Sequence, residues 1–432
     1  MKITEITNGI HYVGVNDRCK YKFENLWPLP YGVSYNAYLI TDKKNVLIDT
    51  VDAAYTDRLL DNITEIIGDG KIDYLIINHM EPDHSASIQF IRQKYPQMTI
   101  VGNIKTLEMV KGYYGIDDNT LCIKNGESLS IGKRTLTFHL TPMVHWPETM
   151  MTYVNEDKLI FSGDAFGCFG TLDGGITDSQ LNTDKYWSEM VRYYSNIVGK
   201  YGPAVQTALK KLSDIEIKTI CSTHGPIWEK EITRVIGIYD RLSRYEGEPG
   251  VVIAYGSMYG HTEQMAEEIA RELAANGIKE IVLHNVSHED PSYILQNIFR
   301  YRGLIIGSPT YSNRLFPAVE TLTEMIATRD IKNRTFAYFG SFTWAGAAVK
   351  HLAAFAESMK WETIPCCIEM KQSITNPIKE RERIKFFPVL LYSKSFLLTI
   401  TFSEQTFIPR NNIFRPRRSI SITIFSATIL AI

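Results

Sequence analysis

From Val251 onward the sequence alternates short apolar runs with amphipathic stretches, a rhythm that few folds accommodate. VVIAYGS is followed by HTEQMAEEIARELAANG, which Gly277 closes. The pattern repeats through IKEIVLHNV and PSYILQNIF, GLIIGSP and PAVETLTEMIA, then RTFAYFGSF and GAAVKHLAAFAESM, and ends on ETIPCCIEM. Five strands with four intervening helices predict a doubly wound parallel sheet, because helical crossovers return each strand parallel to the last. A fifth helix is expected next, to cover the open face. It does not clearly follow: from Ser373 to Ile432 there is no glycine or aspartate, and prolines fall at 377, 388, 409 and 416. Residues 373–432 are therefore expected to be an atypical, divergent or frame-altered tail that does not fold natively. Its final apolar run, ISITIFSATILAI, has thirteen residues, fewer than the roughly 20 needed to span a bilayer.

The first 240 residues have a different rhythm. AYLI, NVLIDTV, YLIIN, MTIVG, LTFHLTP, KLIFSGD and IKTICSTHG read as strands among Gly, Pro, Asn and Asp punctuation. Helical patterns lie between them: TDRLLDNITEII, ASIQFIRQKY and one long stretch, DKYWSEMVRYYSNIVGKYGPAVQTALKKL. The opening MKITEITNGIHYVGVNDR reads as a first strand with no secretory h-region. SRYEGEPG, residues 243–250, is polar with two glycines and a proline and reads as a linker. The expected division is 1–245, 250–372 and the tail 373–432.

Composition excludes some functions. The chain has 432 residues, 22% of them charged, and a formal net charge of -2, so nucleic acid is not an expected partner. None of the six cysteines forms a CxxC pair, which argues against a zinc ribbon, a rubredoxin-type iron site or a thioredoxin-like motif. Their scatter fits a reducing cytosol, and no membrane partner is expected.

NHMEPDHSAS, residues 78–87, crowds His79, Glu81, Asp83 and His84 just past the apolar YLII. His79 and Glu81, two apart in an extended segment, point to one side. Pro82 rigidifies the turn, and Asp83 and His84 can reach a second centre. One loop thus offers ligands to two metal ions. His145 in TPMVHWPETM, Asp164 in KLIFSGDAFG and His224 in IKTICSTHGP lie at the polar ends of other apolar runs, where a sheet scaffold can gather them at one edge.

In the second half, AYGSMYGHTEQMA places Ser257 and Thr262 in a hydroxyl-rich loop opening a helix, suited to a phosphate. It has neither GK[ST] nor GxGxxG, so a mononucleotide is expected rather than a dinucleotide. GSPTYSNRLFP and FGSFTWAGAA follow later strands and carry Tyr311, Phe342 and Trp344, which could flank a flavin ring. His261 either adds positive charge to the phosphate loop or is exposed to solvent.

HxExDH followed by distant H, D and H resembles the metallo-β-lactamase pattern, with glutamate where hydrolases usually carry a second histidine. NDRCKYKFENLWPLPYGVSYNAYLI, HWPETM, SGDAFG and STHGPIW are similar to the flavodiiron proteins over residues 1–372. The resemblance implies an α/β fold: a metallo-β-lactamase-like αββα sandwich followed by a flavodoxin-like doubly wound parallel sheet. It implies one iron on His79, Glu81 and His145, another on Asp83, His84 and His224, and Asp164 bridging them, all seven serving catalysis. FMN would be held by Ser257, Met258, Tyr259, Gly260, His261 and Thr262 at the phosphate, and at the ring by Pro309, Thr310, Tyr311, Ser312 and Asn313 together with Ser341, Phe342, Thr343, Trp344, Ala345 and Gly346. Glu81 then has a chemical reason. A carboxylate adds negative charge and a hard oxygen, favouring a redox-active iron or manganese over zinc.

The implied activity is a cytosolic reductase taking O2 to water or NO to N2O. Electrons would come from rubredoxin or another reduced carrier, and the assembly would be a head-to-tail homodimer, or a dimer of such dimers, that brings one subunit's FMN near its partner's irons. Two other readings are a zinc metallohydrolase with an appended flavodoxin domain and a non-catalytic flavin electron carrier.

Overall fold

A computed structural model describes residues 4–364 and 368–373. The expectations for the tail beyond 373, for a missing last helix and for Cys366 and Cys367 lie outside the described residues.

Two sheets face each other in the first part of the chain. One runs, edge to edge, through Thr4–Thr7, Ile10–Tyr12, Tyr38–Ile40, Val46–Ile48, Tyr74–Ile76, Thr99–Gly102 and Thr120–Cys122. The other runs through Ser128–Ser130, Thr135–Leu140, Met150–Val154, Leu159–Gly163 and Thr219–Ser222. Strand periodicity builds both layers of packing. Val46, Ile48, Ile76 and Val101 point between the sheets at Phe138, Met150 and Phe161. Leu47, Leu75 and Ile100 point the other way, into the cluster with Leu59 and Ile63 of the helix Thr56–Ile67. Successive residues facing opposite sides make such runs apolar throughout, so a sandwich covered by helices on both sides uses every position.

The second sheet system is parallel, in the order Ile281–Asn285, Glu248–Tyr255, Tyr301–Pro309, Thr335–Phe342, then Glu362–Thr363 with Ile368–Lys371. Val251, Ile253 and Tyr255 face the helix His261–Ala275. Val252 and Ala254 face the opposite side, in a cluster continuous with the first domain. The architecture is the αββα sandwich followed by a doubly wound sheet that the resemblance implies.

Four local expectations need correction. The opening segment forms three short strands, Thr4–Thr7, Ile10–Tyr12 and Val15–Asp17, turned first at Gly9 (φ 77°). The stretch 184–212 is not one helix. Asp184–Tyr193 widens into a π turn, Tyr194–Val198, then a 3₁₀ turn, and restarts as Gly202–Leu212 with Pro203 in its first turn. Proline has no N–H to donate and so begins a helix. Gly199 sits where the Phe299 ring arrives, and a Cβ there would lie 2.6 Å from that ring. The supposed linker is short and packed: Ser243 ends a helix, Glu248 begins a strand, and Tyr245 between them is buried. The buried Arg334 guanidinium donates to the carbonyls of Tyr245, Ile298 and Phe299, supplying the donors that buried backbone requires. Finally, ETIPCCIEM provides two strand pieces rather than one.

The domains meet where the helix Pro291–Arg300 packs on Asp184–Tyr193 and the π turn. Arg192, fully buried there, stacks between Phe169 (4.6 Å) and Tyr293 (4.8 Å) and donates to Glu189, the Pro28 carbonyl and Ser292. Among the described residues no helix is long and apolar enough to cross a membrane.

Candidate metal centre and flavin-binding edge

Local chemistry positions the first loop. Asp49, at the end of NVLID with φ 54°, accepts from the Asn78 backbone (2.7 Å) and side chain (3.0 Å), fixing the turn out of Tyr74–Ile76. Pro82 keeps Glu81 out of the helical region, at φ -58° and ψ 138°. The same proline starts the single-turn helix Pro82–Ser85. Glu81 therefore faces one way with His79, while the helix turns Asp83 and His84 towards a second place. The rigid turn read from the sequence is this helix start.

The structure brings all seven side chains together, nearly or fully buried, at one edge of the sandwich. They fall into two groups, His79, Glu81, His145 and Asp164 in one and Asp83, His84 and His224 in the other, with the candidate donor atoms of each group within 4.8 Å of one another. In the first, His145 Nε2 lies 3.1 Å from both Glu81 Oε2 and Asp164 Oδ2. His79 Nε2 lies 3.3 Å from Glu81 Oε2 and 3.5 Å from Asp164 Oδ2. In the second, the Nε2 atoms of His84 and His224 lie 3.4 and 3.3 Å from Asp83 Oδ2. Asp164 divides its oxygens, because Oδ1 faces His84 at 3.0 Å while Oδ2 faces His79 and His145.

This cluster is expensive without cations. Burial alone would push the His84 and His145 imidazoles down, yet the neighbouring carboxylates outweigh it and hold both at about 9. His79 is likewise held up by Asp164, Glu148 and Glu81 against its burial. Burial would raise the carboxyls of Glu81 and Asp164, but the imidazoles hold both below the ordinary range. Both oxygens of Asp83 and Nδ1 of His84 are buried without hydrogen-bond partners. The Asp83 oxygens, which accept no hydrogen bond, together with a carboxylate shared between two groups, fit a pair of metal ions.

Further residues sharpen the site that the motifs alone do not reveal. Glu148, quoted within HWPETM, accepts from His79 Nδ1 at 2.8 Å. Ser34 accepts from His224 Nδ1 at 2.7 Å through its carbonyl. Phe23, Tyr35 and Tyr193 surround the His224 ring at 5.3, 6.0 and 5.6 Å. The hydroxyls of Tyr35 and Tyr193 are buried and have no partner. Glu24, beside Trp27 and Glu81, is pushed up to about 7, first by burial and then by the Glu81 charge. Phe23, Glu24, Ser34, Tyr35 and Glu148 lie within segments quoted above for the family resemblance, but no residue pattern marks what each of them touches.

The three loops of the second domain converge on one edge, at the C-terminal ends of Glu248–Tyr255, Tyr301–Pro309 and Thr335–Phe342, which neighbour one another in the sheet. Gly260 adopts φ 88°, and its N–H donates to Ser257 Oγ at 3.1 Å. Thr262 Oγ1 meets Ser341 Oγ at 2.9 Å, joining the first loop to the third. Thr310 Oγ1 accepts from Ala347 and Ala348, joining the second loop to the third. His261 is exposed at the first turn of its helix. Met258, Tyr259, Tyr311 and Trp344 are also exposed, Trp344 at 88%. Pro309 and Ser341 are buried strand ends, while Ser312, Asn313, Thr343, Ala345 and Gly346 lie exposed in the loops and Phe342 is half-buried. Large apolar rings left in water around a helix start fit a flat aromatic ligand with an anionic tail.

Comparisons with known proteins agree with this arrangement. Residues 33–225 match the ODP family beta lactamase profile and residues 253–376 the flavodoxin profile. The nitric oxide reductase of Moorella thermoacetica is 34% identical over 83% of this chain and 90% of its own. The rubredoxin oxygen:oxidoreductase of Desulfovibrio gigas superposes with a TM-score of 0.86 at 30% identity, covering 90% of this chain and 98% of that one. The flavodiiron protein of Giardia intestinalis also reaches 0.86, at 28% identity over 90% and 96% of the two chains. Two domains of these kinds, in this order and over this length, place the chain among the flavodiiron proteins, a family of oxidoreductases.

Proposed function

We propose that this chain is a cytosolic reductase that takes O2 to water or NO to N2O at a binuclear iron site, with electrons arriving through FMN. The observation that supports it most is the division of Asp164 between two groups of buried donors, one of them containing the carboxylate of Glu81. His79, Glu81 and His145 would hold one iron, Asp83, His84 and His224 the other, and Asp164 both. When bound, two ferrous ions supply two electrons and reduced FMN two more, which matches the four that O2 needs and exceeds the two that a pair of NO molecules needs.

The protein's own part is positional and protective. Glu81 adds a charge and a hard donor that suit iron better than zinc. Phe23, Tyr35 and Tyr193 wall the His224 side and exclude water. The Tyr193 hydroxyl, buried and unpartnered, is the hydrogen-bond donor assigned to the small oxidant. At the flavin edge, the amides and hydroxyls from Ser257 to Thr262 would take the phosphate, and the segments 309–313 and 341–346 would hold the ring.

The proposed assembly is a head-to-tail homodimer in which the flavin edge serves the partner's metal site. The chain's matched portion contains no CxxC iron module, so rubredoxin or a similar reduced carrier is the proposed donor, in keeping with the name of the Desulfovibrio gigas relative. The role would be to remove O2 or NO in an anaerobic or microaerobic cell.

Metal analysis of protein purified without added metal should find about two irons per chain. Anaerobic stopped-flow of the reduced protein against each gas should then show oxidation within the mixing experiment for at least one. Two zincs per chain, or flavin that ferries electrons while neither gas is consumed, would overturn the reading.

A further inference from the structure

The two groups of donors are supported differently from behind. In the first, Glu148 is 1% exposed and its Oε1 accepts from His79 Nδ1 at 2.8 Å and from the Met80 N–H at 2.9 Å. Its other oxygen is buried without a partner, so the charge is shared with no cationic side chain beyond the imidazole. Asn103 Nδ2 donates to the Glu148 carbonyl at 2.5 Å and pins the backbone in place. Among the described residues no carboxylate is hydrogen-bonded behind an imidazole of the second group, and the buried Asp49, which feels the charge of His84, is itself bonded to Asn78. His224 Nδ1 donates to the neutral carbonyl of Ser34 at 2.7 Å, and His84 Nδ1 has no partner.

The difference has a chemical consequence. A carboxylate behind a ligating imidazole fixes the ring, raises its basicity and strengthens its hold on a cation; removing such a group lowers metal affinity by about 10–100-fold. A neutral carbonyl fixes the ring and adds far less charge. The first group therefore has Glu81 at the metal and Glu148 hydrogen-bonded one imidazole behind it, against Asp83 and no hydrogen-bonded acid behind an imidazole in the second, with Asp164 common to both.

We propose that Glu148 is a positioning residue that makes the two metal pockets unequal: the pocket of His79, Glu81 and His145 fills first with a divalent cation, and the pocket of Asp83, His84 and His224 fills second. The inference rests on reading the cluster as a binuclear site, and it concerns the order and strength of filling, which that reading leaves open. With a redox metal bound, the same extra charge would favour the higher oxidation state in the first pocket.

The test titrates the full chain, freed of metal by chelation under anaerobic conditions, with Co2+ while following heat and visible absorption. Wild-type protein should bind two ions in two phases. His84→Ala should abolish the second phase and keep the first, which assigns them. Glu148→Gln keeps an acceptor for the Met80 N–H and the His79 Nδ1 and removes the charge, placing its NH2 where Oε2 has no partner. It should weaken the first phase by about 10–100-fold and leave the second within error, so that the phases merge or exchange order. If Glu148→Gln titrates like wild type and only Glu148→Ala is impaired, Glu148 merely caps the backbone and the proposal fails. Equal pockets in the wild type, or an effect of Glu148→Gln on the second phase, overturn it as well. A wild-type chain that binds no Co2+ overturns the binuclear reading itself, an outcome distinct from these.

Discussion

His84 and His224 meet Nε2 to Nε2 at 3.1 Å, their ring centroids 4.6 Å apart, and both are fully buried. One proton can lie between two such nitrogens, and a cation on each removes the need for it. Folding the metal-free chain thus gathers donors that its own side chains cannot satisfy.

The first prediction concerns pH. In the metal-free protein His84 and His145 rise from an ordinary 6.5 to about 9, where carboxylates outweigh burial. A raised folded value stabilises the fold fully below the unfolded value and loses that contribution as pH climbs through the folded one. Chelated protein should therefore lose thermal stability between about pH 6.5 and 9, whereas metal-loaded protein should not. Metal uptake near neutral pH should release protons, measurable in weak buffer by an indicator dye. Uptake without proton release would contradict these protonation states.

Glu81 supplies a second. Glu81→Ala should reduce the metal content from about two ions per chain to about one and abolish reduction of both gases, while flavin content stays unchanged. Iron analysis, the flavin absorption band and a gas electrode report the three quantities separately. Persistent turnover with O2 or NO would remove Glu81 from the proposed ligand set.

The buried Tyr193 hydroxyl gives a third. Tyr193→Phe removes one oxygen and leaves the wall around His224 intact. Losing one hydrogen bond worth roughly 1–2 kcal/mol should slow gas reduction about tenfold with metal and flavin content unchanged. Equal rates in stopped-flow would show that the hydroxyl does not touch the oxidant.

At the domain junction, Arg192→Ala leaves Glu189 buried without its cation and removes the tie to Pro28 and Ser292. Stripping one partner from a buried pair costs about 3–5 kcal/mol. Calorimetry should show a lower first transition that separates the unfolding of the two domains. A single unshifted transition would mean that the junction holds without it.

Trp344 tests the flavin edge. At 88% exposure it contributes little to folding, so Trp344→Ala should change stability by no more than about 0.5 kcal/mol. Loss of aromatic contact, about 0.5–1.5 kcal/mol, should weaken FMN binding by up to roughly tenfold, read from flavin fluorescence. Unaltered FMN affinity would move the ring elsewhere on the edge.

Much of this protein is legible in its residue order. Apolar runs ending in His79, Asp164 and His224 announce strands that deliver polar side chains to an edge, since strand length and side-chain alternation are local properties. The β-α rhythm after Val251 likewise settles a parallel sheet, because each crossover is set by its own helix. Local pattern fails where another part of the chain intervenes. The 184–212 stretch has helical periodicity throughout, yet it breaks beside Gly199, where Phe299 packs from the other domain. The polar 243–250 segment reads as a linker, but the buried guanidinium of Arg334, 89 residues beyond Tyr245, draws its backbone into the core.

Which acids and imidazoles this chain contains, and on which strand ends they lie, was settled by the order of residues alone, because those facts depend on short-range periodicity. That Asp164 splits its oxygens between two groups, and that Glu148 stands behind His79 while only a carbonyl stands behind His224, came from the packing of two sheets. Hydrogen bonds between residues tens of positions apart are fixed by how the layers meet, and no local pattern carries that distance.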